Sequence, residues 1–124
     1  MPHVVLDGRV DCAEVASRLQ LTPQRWGRSV IKAEACWVRT DNLALVVEGV
    51  VVELSRPLHP VALVMPHGDH TTVRLWPIVE VERTLPVQRF LAIVAAMLVA
   101  GGAGRLRSTN LPDQVLSDLE LGVV

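Results

Sequence analysis

Hydrophobic residues recur along this chain in two rhythms. From Ser29 to Arg39 they alternate, with Ile31, Ala33, Ala35 and Trp37 on one face and Lys32 and Glu34 on the other. That period predicts a half-buried strand. From Leu43 to Leu54 valine and leucine occupy both faces, broken only by Glu48, Gly49 and Glu53. Such a segment suits a central strand, or one with a face under a helix, and Gly49 marks a place for a bulge. Val61 to Met65 reads as a short strand with Thr71 to Arg83 as its partner. In the partner Val73, Leu75, Val79 and Val81 point one way, and Arg74, Trp76, Glu80 and Glu82 the other. Pro77 cannot donate to a ladder, which puts this strand at an edge or gives it a bulge. Pro66-His67-Gly68-Asp69-His70 is the turn between the two.

The flanks carry helical signals. Val4-Val5-Leu6 predicts a strand, and Asp7-Gly8 a tight turn. Asp11 reads as an N-cap, with Glu14 at capping-box spacing, and Cys12, Val15, Ala16 and Leu19 share one helical face. Thr22-Pro23 is a second helix start, which Gly27 weakens. Ser55 to Pro60 holds two prolines and reads as a loop. Thr84, Leu85 and Pro86 open the strongest helix, to about Ala100, where Gly101-Gly102 stops it. Beyond Phe90 this helix is apolar all round, the pattern of a helix buried on every side. A sheet covers one side. The C-terminal helix, a second subunit or lipid must cover the other. Arg105 to Asn110 reads as a polar connector, and Asn110 as the cap of a last short helix, Pro112 to Leu119.

These elements predict one α+β domain over residues 1–124. Its antiparallel sheet has about four or five strands, with one long apolar helix across a face and short N- and C-terminal helices. With 124 residues the chain is large enough for one core.

Composition narrows the function. Twelve basic residues oppose thirteen acidic ones, for a net charge of −1, so the footprint of a general nucleic-acid binder is missing. Hydrophobic residues make up 50% of the chain and aromatic residues only 3%. The core is therefore aliphatic, and stacking platforms for bases or sugars are scarce. Two cysteines form neither a disulfide framework nor a metal motif. No secretory signal is legible, and the longest apolar run, Phe90 to Gly104, falls short of the roughly 18–20 residues a bilayer requires. The expectation is a cytoplasmic protein with no membrane span.

Candidate chemistry is concentrated at the His67 turn. Imidazole and carboxylate suit zinc or iron, so His67, Asp69 and His70 are candidate ligands for a divalent metal. A metal-dependent enzyme built on them could be completed across a subunit interface by His59. His59 lies one strand away, about 17 Å at roughly 3.3 Å per residue. Against this stands ordinary turn chemistry, which also places Gly-Asp at loop tips.

Residues 11–32 suggest a second chemistry. The run from Ala13 to Trp26 resembles a helix-turn-helix, with Arg25 and Arg28 where a recognition helix carries its basic side chains. The resemblance implies a DNA-binding regulator. Gln20 stands where the motif has its turn glycine, and Gly27 interrupts the second helix. Only Arg18, Arg25, Arg28 and Lys32 could hold phosphates, and nucleic acid is not the expected partner.

Three weaker features favour structural roles. Cys12 occupies the first turn of a helix, where a thiol can be activated, yet it shares the apolar face of Val15 and Leu19. Gly101 to Arg105 is glycine-rich but follows a helix, the reverse of a phosphate loop. Glu80 and Glu82 could act as paired carboxylates, but they alternate with Arg74 and Arg83 on a solvated face. No catalytic signature outweighs its structural alternative, and the sequence names no small-molecule ligand. The leading expectation is a self-associating protein-binding or assembly module, a homo-oligomer. Trp76 and Ile78 on a probable edge strand would form its interface.

Overall fold

A computed structural model describes residues 1–20 and 22–122. Its strands are β1 (His3–Leu6), β2 (Gln24–Trp26), β3 (Ser29–Val38), β4 (Leu45–Glu53), β5 (Arg56–Leu58), β6 (Val61–His67), β7 (His70–Leu75) and β8 (Leu106–Thr109). The helices are α1 (Cys12–Arg18), α2 (Leu85–Ala100) and α3 (Asp113–Leu116). All strand pairings are antiparallel, in the order β2-β3-β4-β6-β7-β1-β8. β5 shares the β6 side of β4: Leu45 to Glu48 pair with β6, and Val51 to Glu53 with β5. Gly49 N donates to Pro60 O at 2.9 Å, between the two pairings.

The mixed α+β architecture is the one the pattern predicts, but the sheet has eight strands where four or five were expected. The helical part is also smaller. Its longest element has 16 residues, an ordinary length, and the flanking helices have 7 and 4. The extra strands are short or polar, and tertiary pairing alone makes them strands. Gln24–Trp26 replaces the helix expected after Thr22-Pro23, because Gly27 at φ 58° turns the chain back onto Ser29–Ile31. Arg56–Leu58 lies in the expected loop, where Pro57 is tolerated beside β4. The supposed connector Leu106–Thr109 pairs with β1.

α1 and α2 begin as their caps dictate. The Asp11 side chain accepts from Glu14 N, and Thr84 Oγ1 from Val87 N. Asn42 reinforces the first cap: its Nδ2 donates to Asp11 Oδ1 at 3.1 Å, and its Oδ1 accepts from Ala13 N at 2.9 Å. The carboxyl of Asp11 is held below its ordinary range, first by the Asn42 hydrogen bond and then by Glu14 N. Glu14 pairs with Arg18 on the helix surface instead of reaching back to the cap.

α2 is buried from Val87 to Ala95, apart from half-buried Gln88, and again at Leu98. The chain supplies its own cover. Inner-face residues of β1, β3, β4 and β7 lie on one side, and Val115 and Leu116 of α3 with Leu111 and Leu121 join the same core. The contact with the sheet depends on Gly49. A Cβ there would lie within 2.6 Å of Phe90 Cζ, so the missing side chain leaves the seat of that ring. The bulge that Gly49 suggested falls on the facing strand, between Ala33 and Ala35.

α3 is anchored by a charge. Arg89, only 7% exposed, donates from Nη1 to Val115 O at 2.8 Å and to Ser117 O at 2.6 Å. Its guanidinium also sits 5.4 Å from the Trp26 ring centroid. Burial lowers its pKa, and Asp118 partly counters this. Among the described residues no helix is long and apolar enough to cross a membrane.

Two substitutions test this packing. Gly49→Ala should cost about 1–3 kcal/mol in denaturant unfolding by overpacking the ring. Phe90→Leu should remove part of that cost, so the double variant loses less than the sum. Arg89→Met keeps the volume but strands two carbonyls, and should cost about 2–4 kcal/mol. Amide exchange should rise first in α3.

Candidate functional site

The buried side chains of all three helices join one core on the inner face of the sheet. Register fixes what the other face carries. Trp37 lies opposite Val46, Val46 opposite Leu63, Leu63 opposite Arg74 and Arg74 opposite His3, a row across β3, β4, β6, β7 and β1. A neighbouring row runs Ala35, Glu48, Val61, and Trp76 N donates to Val61 O at 2.8 Å. On the other side Met65 faces Thr72, and Thr72 faces Val5.

The centre of this outer face is apolar. Trp37, Val46, Leu63, Met65 and Trp76 line a shallow depression of about 360 Å³ together with Val38, Arg39 and Ala44. Trp37 is 65% exposed, although strand tryptophans ordinarily bury their rings. The strict inner-outer alternation of β4 puts Val46, Val50 and Val52 on this open side. Valine on both faces is the mark of a strand covered twice, and this one is covered once.

Polar groups rim the apolar centre. Glu48 accepts a short hydrogen bond from Trp37 Nε1. Arg39 pairs with Asp41 at 2.7 Å, which holds the Asp41 carboxyl below its ordinary range. Arg74 stands exposed on the β7 side and joins none of the ion pairs among the described residues.

The expected interface residues move apart. Trp76 follows the last residue of β7, an interior strand between β6 and β1, not an edge. Pro77 ends that strand early, because the ladder needs the N–H that proline lacks. Trp76 remains on the outer face. Ile78 is 75% exposed in the turn beyond it and does not line the depression. Glu80 and Glu82 fall in the same irregular segment, and Glu82 forms a two-pronged pair with Arg56 at 2.8 and 3.1 Å. That pair holds the Glu82 carboxyl below its usual range.

His67 and His70 face each other across the β6–β7 turn, with ring centroids 5.8 Å apart and planes tilted by 33°. Asp69 Oδ1 lies 3.4 Å from His70 Nδ1, and the Asp69 side chain is 91% exposed. Arg9 Nη1 donates to Gly68 O at 3.0 Å, which brings a cation to the turn. Among the described residues no group of three or more histidine, cysteine, aspartate or glutamate side chains is placed to hold a metal. His59 is exposed in the link between β5 and β6.

Residues 11–32 do not form a helix-turn-helix. Arg25 lies on β2 and Arg28 in the turn of the β2–β3 hairpin, where no recognition helix exists to aim them into a groove. Arg89 was not legible as a special residue. Its only signal is a cation at the head of an otherwise apolar run, which equally suits a solvated helix end.

Cys12 is fully buried, and its thiol is raised above the ordinary range by that burial and then by Asp11. Burial raises Cys36 as well. A thiol raised in this way stays protonated at neutral pH, so Cys12 should resist a disulfide reagent at pH 7.5 in the native protein. It should react once the chain is unfolded. Fast native labelling of Cys12, followed by peptide mapping, would restore it as a candidate nucleophile.

No family model matches the chain, and neither a curated protein nor a solved structure matches it.

Proposed function

We propose that the chain is a non-catalytic assembly module that binds a second copy of itself through the open face of the sheet. The observation that carries this reading is the open apolar centre of Trp37, Val46, Met65 and Trp76 around the buried Leu63. Tryptophan, methionine and arginine are the residues enriched where proteins bind each other, and a polar rim around an apolar centre is the usual anatomy. The all-round apolar helix no longer argues for a partner, because α3 and the sheet cover it.

Charge favours a second copy and selects how it sits. Glu48 lies on β4 and Arg74 on β7, on opposite sides of β6. A two-fold axis along β6 brings the Glu48 side of one copy over the Arg74 side of the other. A two-fold axis across the strands would instead stack Arg74 on its own copy, which is repulsive. The first arrangement is an aligned sheet-on-sheet packing with Leu63 near the axis.

Sedimentation velocity over the micromolar range should show a monomer–dimer equilibrium. Val46→Lys, at a half-exposed position, should shift it to monomer with the melting temperature of the dilute protein kept. A wild-type chain that sediments as a monomer at every concentration would remove the reading. So would a dimer indifferent to Val46→Lys.

A further inference from the structure

Towards the β6–β7 turn the outer face holds a second depression with different chemistry. It measures about 550 Å³ and is lined by Met1, His3, Met65, His67, Thr72 and Arg74. Register assembles it: His3 lies opposite Arg74, and Met65 opposite Thr72, with His67 two residues beyond Met65 on the same face. Arg74 and His67 offer N–H donors, Thr72 adds a hydroxyl, and no carboxylate lines the wall. Asp69, the nearest acid in sequence, is engaged with His70. His3 Nδ1 donates to Met1 O at 3.1 Å, which fixes the ring at the edge of the depression. The Thr72 hydroxyl reaches Met65 O at only 3.4 Å, a weak bond that leaves it easily redirected.

We propose that this depression binds a small monocarboxylate with a short apolar stem. A wall that holds a guanidinium and no carboxylate calls for an anion. Arg74 is its one permanent cation, which balances a single negative charge better than a phosphate dianion. The guanidinium fork also matches a carboxylate in two parallel hydrogen bonds. Met1 and Met65 supply flexible apolar surface for the stem. The site requires no metal and no second copy of the chain.

The test is a titration of isotope-labelled protein, at a concentration where it is monomeric, with hexanoate. Hexylamine, acetate and inorganic phosphate are run in parallel. Hexanoate should shift the amide signals of His3, Met65, Thr72 and Arg74 saturably, with acetate and phosphate weaker and hexylamine without effect. Arg74→Gln, at an exposed position, should weaken hexanoate by about tenfold or more, the worth of a charged hydrogen-bonded pair. His67→Gln should weaken it less. Arg25→Gln, on β2 at the other end of the sheet, should leave it unchanged. Non-saturating shifts, equal response to hexylamine, tighter binding of phosphate or an Arg74→Gln variant with wild-type affinity would each overturn the proposal.

Discussion

The fold turns on one steric accommodation. Phe90 is the only phenylalanine of the chain and its largest fully buried side chain, and its ring occupies the space a residue at position 49 would fill. Glycine at the middle of a strand normally weakens it, because it adds chain entropy and packs nothing. Here that loss is offset by the approach of α2 to the sheet. The same level of the sheet is where β3 bulges between Ala33 and Ala35 and where the far side of β4 passes from β6 to β5. A helix nearly without polar side chains beyond Arg89 can then sink into the concavity and be covered by the chain itself.

What the sequence disclosed followed from periodicity strong enough to survive without context. β1, β4, β6 and α2 were legible because each carries its burial pattern locally; in β3 the expected face of Ile31, Ala33, Ala35 and Trp37 holds only to Ala33, because the bulge turns Ala35 and Trp37 to the outer side. β2, β5 and β8 were not. Their three or four residues have no pattern of their own, and each is a strand only because a neighbour offers it an unpaired edge. α3 shrank for a related reason. Asn110 bonds to His3 N and Met1 O, and so fastens the chain beside β1 instead of capping a helix.

The candidate surface was half legible. Trp76 was read as outward-facing, and it is. The partners that give it meaning lie on other strands: Trp37, Val46 and Leu63 meet only through register, which no single segment encodes. The same holds for the basic depression. His67 was visible as turn chemistry beside Asp69 and His70, while its neighbours in space, His3 and Arg74, come from two further strands. Arg89 shows the converse. A charge in an apolar run looks like the end of a buried segment, yet here it enters the interior and satisfies carbonyls of α3.

The position of β1 has a consequence for how the chain reaches this state. Its four residues sit between β7 and β8, so their ladders join segments separated by a little over half and by most of the chain. Asp7 N reaches Arg105 O, and Gly8 N reaches Ala103 O, over the same span. Such contacts are entropically late, since the intervening loop must close before they contribute. During synthesis β1 emerges first and can pair with β7 once that strand is made, but the other edge of β1 stays open until β8 has left the ribosome. In that interval the backbone of Val4 to Leu6 is an open edge, the species most exposed to mispairing and most in need of a chaperone.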